Sequence, residues 1–209
     1  MPGGHGSSNA NNIGWKQSYG QKGNNLGVDM GSSNYRALFI HGFHSTSKSY
    51  FFPRTEKTLT DRGYCVFNFD LPNPHQPSLY EWLRCTEENI QGVKYFDVIL
   101  AHSLGGMLAL QLLSQGIIEA KRAILIGSSF GPKNNEYMDT FVSTPIVFEN
   151  IIKNTEKMYS VFSLDDPWTA SEYGLLAVKQ LGSIGIVYHD MGHFEFEVLP
   201  TEVMNILSN

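Results

Sequence analysis

The sequence has little in it for covalent bracing or for steering to a charged partner. Only two cysteines, Cys65 and Cys85, occur in 209 residues, too few for the disulfide framework of a small secreted scaffold. Cys65 falls in a strand-like run and Cys85 in a helix-like one, so both read as reduced thiols. Charged residues make up 17% of the chain and the net charge is -5, which leaves no basic footprint for nucleic acid. No apolar run approaches the roughly 20 residues needed to span a bilayer. A charged-then-apolar leader with a cleavage site is missing, as is any Asn-x-Ser/Thr sequon, and the expected compartment is the cytoplasm. HExxH and HxHxD patterns are also missing, so neither a metal nor another cofactor is expected.

What the chain does have is hydrophobicity, 42% of its residues, enough for one domain with a sizeable core. That content is unevenly placed. Residues 1–34 are mostly Gly, Asn and Ser, with Lys16, Lys22 and Asp29 as their only charges. Such a segment buries too little surface to offset its ordering entropy, which predicts a disordered or loosely attached tail ahead of a domain over residues 35–209.

From Tyr35 onward, short β-branched and aromatic runs alternate with helical periodicity. Strands are predicted at Tyr35–Ile40, Tyr64–Phe69, a third ending at Ala101, Ala123–Ile126, Met158–Ser163 and Ile184–Tyr188. Helices are predicted within Ser45–Asp61, entered after Ser47, and at Leu79–Ile90 behind an N-cap at Ser78. Two more are predicted at Ala170–Leu181 and Phe194–Leu207. Strands alternating with helices argue for an α/β fold: a mostly parallel sheet of about six strands with helices on both faces.

The stretch from Val98 to Leu110 organises the rest. Four apolar residues run into Ala101-His102-Ser103-Leu104-Gly105-Gly106, and a further apolar segment follows at once. A buried strand must reverse into a helix within very few residues, and small side chains two before and two after Ser103 give the clearance. This is a variant of the G-x-S-x-G nucleophile elbow, with Ala101 at the first glycine position. A serine hydroxyl attacks only when a base takes its proton and an acid holds the base in its tautomer. In elbow-bearing sheets the chain order is Ser, acid, His. Here Ser163-Leu164-Asp165-Asp166-Pro167-Trp168 follows the fifth strand and Asp190-Met191-Gly192-His193 follows the sixth, both at the sheet edge that carries Ser103.

His193 is preferred over the other histidines because it comes last in the chain and Gly192 frees its loop. His5 lies in the tail and His75 in a Pro-rich loop, and the side chain of His102 should point away from the serine. His41 and His44 flank the loop after the first strand and are placed to line a pocket, while His189 ends a strand. Asp166 is favoured as the acid, with Asp165 as the alternative. Leu104 supplies one oxyanion N–H and Phe43, in His41-Gly42-Phe43, a second. His44, Phe130 and Trp168 are candidate substrate-lining residues, Phe130 lying in the long insertion Gly127–Lys157. Trp82 reads as an aromatic packing its helix onto the sheet.

The stretches L-F-I-H-G-F, L-P-N-P-H-Q-P-S-L-Y-E-W, A-H-S-L-G-G, S-L-D-D-P-W and M-G-H-F, in this order, resemble the small serine hydrolases typified by retinoblastoma-binding protein nine. The resemblance runs from Tyr35 to the C-terminus. It implies an α/β-hydrolase domain without a large lid, with Ser103 as nucleophile, Asp166 as acid and His193 as base. The expected activity is hydrolysis of a small ester, thioester or amide through an acyl-enzyme, carboxylesterase-like in type. Two other readings stand beside it: a binding protein that has lost turnover, and an acyltransferase using the same triad. The expected partner is a small acyl substrate, and the oligomeric state is left open.

Overall fold

The computed structural model describes residues 35–128 and 138–208. The predicted tail and Phe130 lie outside those residues. Six strands form one sheet: β1 (Tyr35–Ile40), β2 (Tyr64–Asn68), β3 (Tyr95–His102), β4 (Glu119–Ile126), β5 (Thr155–Ser163) and β6 (Ile184–Tyr188). Their order across the sheet is β2-β1-β3-β4-β5-β6, and every neighbouring pair is parallel. The helices are α1 (Phe52–Asp61), α2 (Leu79–Ile90), α3 (Leu104–Ser114), α4 (Asp139–Ser143), α5 (Phe148–Lys153), α6 (Ser171–Leu181) and α7 (Thr201–Ser208). No large lid domain is present among the described residues.

Parallel strands need crossovers, and crossover helices cover both faces. One face packs α1 and α7 through Phe52, Leu59, Val203 and Leu207 onto Phe39, Val98, Leu100 and Ile126. The other packs α2, α3, α5 and α6 through Trp82, Leu108, Ile151 and Leu181 onto Ile99, Ala101, Ala123 and Leu125. Full burial of an aliphatic or aromatic side chain stabilises the fold by about 1.5–3 kcal/mol, and such burial is densest around β3 and α3. Every β3 residue from Phe96 is buried, as is every residue of α3. A helix with apolar residues on all sides has no solvent face to present. Its two buried polar side chains are paired: the Gln111 amide donates to the Thr144 carbonyl (2.9 Å), and Ser114 Oγ accepts the Val147 N–H (2.8 Å). Asn150 and Asn154 cap its C-terminal carbonyls at Ser114 and Leu113, each at 2.8 Å.

Several expectations at element ends need correction. α1 begins at Phe52, not after Ser47. Before it, hydroxyls capture backbone donors: Ser45 Oγ takes the Gly42 N–H and Ser49 Oγ the Thr46 N–H, each at 3.0 Å. Tyr50 is left-handed with φ 52°, and Pro53 fits only a first turn. The last helix begins at Thr201, not Phe194, because Phe194 is itself left-handed (φ 60°) and Pro200 cannot sit in a helix interior. Ser78 occupies the N-cap of α2, but its hydroxyl makes no capping bond; Thr140 Oγ1 takes the Leu79 N–H instead (3.1 Å). β4 and β5 also start earlier than expected, at Glu119 and Thr155, where exposed charged residues hide the strand pattern.

Gly105 sets how closely α3 can approach the sheet. A Cβ there would collide with the backbone carbonyl oxygens of Ile40 and His41. Neither atom can swing away as a flexible side chain could. Gly105→Ala should therefore lower stability by about 1–3 kcal/mol, read as a fall in urea midpoint at unchanged slope.

Candidate active site

Strand β3 runs its parallel ladder to His102, and the chain then turns at Ser103 into α3. Ser103 has φ 53° and ψ −123°, a conformation that non-glycine residues rarely adopt. Its N–H stays in the sheet, donating to the Ile126 carbonyl at 2.9 Å. The strain persists because the buried strand and the buried helix on either side fix both ends. Ser103 is 8% exposed, at the C-terminal edge of the sheet. The loop after β1 runs directly over it, as a Cβ on Gly42 would lie 2.7 Å from Cβ of Ser103 and 3.3 Å from the Leu104 nitrogen. Phe43 follows immediately.

The neighbouring strand ends carry the remaining groups. After β5, Asp166 folds back so that its Oδ1 accepts the N–H groups of Trp168 (2.8 Å) and Thr169 (2.9 Å). Its Oδ2 faces the His193 ring from the loop after β6, 2.7 Å from Nδ1. A carboxylate only accepts, so Nδ1 carries the hydrogen and donates it, which leaves Nε2 with its lone pair free. The pair is withdrawn from water, with side chains 1% exposed for Asp166 and 7% for His193. Gly127 at the end of β4 lies directly behind it: with φ 54°, a Cβ there would come within 3.2 Å of Nδ1.

Asp165 has a different place. Its Oδ1 accepts the Ser163 hydroxyl (2.5 Å) and the Gly192 N–H (3.0 Å), while Ser163 Oγ accepts the Met191 N–H (3.0 Å). The Ser163 hydroxyl, followed by the Gly192 and Met191 amides, holds its carboxyl below the usual carboxylate range. The structure thus brings Asp166, not the alternative Asp165, to the ring, and Asp165 stitches the histidine loop to the end of β5.

Other candidates fall differently. His41 does not line a pocket: it is 2% exposed, its Nδ1 donates to the Gly42 carbonyl (3.0 Å) and its Nε2 accepts the Leu71 N–H (2.8 Å). Burial lowers its pKa. His44 is exposed, and its ring meets that of Phe43 at 4.0 Å and that of His75 at 4.4 Å. His75, set aside on sequence, is held there because Pro74 accepts the His44 N–H at 2.9 Å. The Trp168 side chain is 69% exposed. Trp82 packs as expected, fully buried, with Nε1 donating to the Pro72 carbonyl (2.8 Å).

His102 was set aside on sequence, its side chain expected to point away from Ser103. Its ring is 2% exposed and lies 4.9 Å from the ring of His193. Nε2 donates to the His193 backbone carbonyl at 2.8 Å, while Nδ1 is buried with no partner among the described residues. A buried acceptor left unsatisfied costs about 1–3 kcal/mol. Adjacency to Ser103 was the only signal available, and it does not say where the ring turns.

Among the described residues, no group of His, Cys, Asp and Glu side chains is arranged to hold a metal ion. Within the same residues, no helix is long and apolar enough to cross a membrane. Cys65 and Cys85 are not joined in a disulfide.

An open parallel sheet, a serine on a strained strand-to-helix turn and an acid–histidine pair at the same edge define an α/β-hydrolase architecture. Residues 37–177 match the model of the alpha/beta hydrolase family, and the chain belongs to that family. YdeN of Bacillus subtilis (strain 168), a protein assigned as a hydrolase, is 24% identical over 162 residues, 76% of this chain and 85% of that protein. The YdeN crystal structure superposes with a TM-score of 0.77 at 23% identity, covering 83% of this chain and 97% of that one. Est1E of Butyrivibrio proteoclasticus, solved with ferulic acid bound, gives a TM-score of 0.63 at 14% identity, covering 84% and 86%. These comparisons carry the family and the fold. The narrower likeness to the hydrolases typified by retinoblastoma-binding protein nine rests on the motifs alone.

The buried histidines make stability depend on pH. Burial first, and the charge of His193 second, lower the His102 pKa from 6.5 to about 3; the bond to the His193 carbonyl, with Asp166, opposes them, and His41 adds to the lowering. Between those values the unfolded chain binds the extra proton, so this group's contribution is complete above pH 6.5 and is lost as pH falls below it. The slope from one such group reaches about 1.4 kcal/mol per pH unit. Urea unfolding between about pH 5 and 7 should show wild type losing stability faster on acidification than His102→Met.

Proposed function

We propose that the protein is a serine hydrolase that cleaves a small carboxylic ester or related acyl compound through an acyl-enzyme. Ser103 Oγ attacks the acyl carbon and gives its proton to Nε2 of His193. Asp166 steadies the imidazolium that forms. The N–H groups of Leu104 and Phe43 stabilise the oxyanion, and the positive end of the α3 dipole adds to that field. His193 then returns the proton to the departing alcohol. In the second half, His193 takes a proton from the water that attacks the acyl carbon and passes it to Ser103 Oγ as the acyl–oxygen bond breaks, which releases the acid and restores the serine.

The observation that carries this reading is the buried His193–Asp166 pair, 2.7 Å apart, at the sheet edge where Ser103 is held in its strained turn. A direct link joins the two parts: the residue next to Ser103, His102, bonds the backbone of His193 at 2.8 Å. The hydrolase assignment of YdeN and the carboxylesterases among similar structures, such as one from Nitrososphaera gargenis with a TM-score of 0.63, support the reaction class. Phe43 and His44, on the loop after β1, and Trp168, on the loop after β5, are proposed to meet the substrate.

A fluorophosphonate probe should label the wild-type protein, and Ser103→Ala should abolish both labelling and hydrolysis of short p-nitrophenyl esters. Asp166→Asn should lower kcat by about 10³–10⁴-fold by destroying the tautomer preference, whereas Asp165→Asn should keep most of the rate. Wild type that stays unlabelled, or equal effects at the two aspartates, overturns the assignment. Product analysis with added alcohols separates hydrolysis from acyl transfer.

A further inference from the structure

The loop that presents His193 is held in a conformation that the backbone does not favour by itself. Gly192 has φ 48° and Phe194 φ 60°, so left-handed residues flank the histidine on both sides. Such a loop keeps one shape only where its surroundings fix it. On the N-terminal side, Ser163 Oγ and the Asp165 carboxylate accept the N–H groups of Met191 and Gly192, each at 3.0 Å. On the C-terminal side, Phe194 is fully buried, and the Tyr50 hydroxyl donates to Glu195 Oε1 at 3.1 Å. The hold on residue 193 itself comes from His102, whose Nε2–H donates to its carbonyl at 2.8 Å inside the protein.

We infer that His102 is a positioning residue: its Nε2–H fixes the carbonyl of His193, and with it the imidazole, in register with the Ser103 hydroxyl one peptide away. This rests on the triad reading given above. Two further observations support it. The first is the environment of the ring. It packs edge-on against Tyr50 (5.6 Å) and Phe51 (5.5 Å) and beside His193, with Nδ1 buried and unpartnered among the described residues. An apolar side chain would fill this space without an orphaned acceptor, so packing alone does not account for a histidine here. The second is its charge. Burial keeps the ring neutral well below neutral pH, so it supports His193 without opposing the positive charge that the imidazole must take on during turnover. His102 acts through its bond to the backbone carbonyl of His193.

Misplacing a general base by a fraction of an ångström slows the chemical step and leaves binding nearly intact. The test compares two side chains of equal length. Glutamine carries an N–H group where His102 has Nε2, and methionine carries none. With a short p-nitrophenyl ester, His102→Met should lower kcat by about 10–100-fold with KM within about twofold. His102→Gln should recover most of that loss. Should His102→Met fail to fold, His102→Asn takes its place, since its amide is too short to reach the carbonyl and should behave as methionine does. Equal kcat for the glutamine variant and the variant without the donor, whether both impaired or both as wild type, overturns the inference. His193→Ala, assayed by fluorophosphonate labelling rate, keeps the two levels apart. Loss of labelling there with equal position-102 variants overturns the positioning role alone, whereas unchanged labelling overturns the triad and this inference together.

Discussion

The molecule depends on a backbone turn that would not persist outside its setting. Ser103 sits at φ 53° and ψ −123° between a strand and a helix that are buried along nearly their whole length. Isolated, the segment would relax, because strain of this kind costs about 1–3 kcal/mol. It holds because β3 lies between β1 and β4 in the sheet while Gly105 lets α3 lie against the carbonyls of Ile40 and His41. The strain and the close packing are one arrangement. The hydroxyl is raised at the sheet edge because the helix beneath it has nowhere else to go.

The rest of the site follows from placing ordinary groups at that edge. Parallel strands all end there, so loops far apart in sequence meet without any long-range device. The order β3, β4, β5, β6 across the sheet sets Ser103, Gly127, Asp166 and His193 side by side. The Asp166–His193 pair is buried and backed by a glycine, where water screens its charge little. Asp165, next in sequence to Asp166, takes the Gly192 N–H and the Ser163 hydroxyl and so serves the loop. Two adjacent carboxylates thus do different work because successive side chains leave a tight turn in different directions.

Much of this was legible in the sequence, and the failures have causes. β6 and α2 fall at their predicted limits because apolar periodicity and flanking Gly, Pro and Ser residues agree there. The starts of α1 and α7 were misread because Pro53 and Pro200 rule out an interior position without saying how far the preceding turn extends. β4 and β5 were read too short because strand beginnings at the solvent edge carry Glu119, Lys121, Glu156 and Lys157. In the site, Ser–Asp–His order pointed to the residue types and favoured Asp166 with Asp165 as the alternative; the coordinates bring the Asp166 carboxylate to the His193 ring. His41 looked like a pocket residue and is a buried tie between Gly42 and Leu71. His102 looked idle because sequence adjacency cannot show a contact 91 positions away.

The proposed nucleophile and the proposed base also rest on unequal foundations. Ser103 is anchored in the middle of the sheet, whereas His193 hangs between β6, an edge strand of five residues with Ile184 and Val187 about half exposed, and an eight-residue helix. Short peripheral elements open more readily than central ones. Under the proposed mechanism, warming would therefore disarm His193 before the core unfolds. Hydrolysis by that mechanism would then be a finer thermometer of this molecule than its helical signal, and would return on cooling for as long as the centre of the sheet had held.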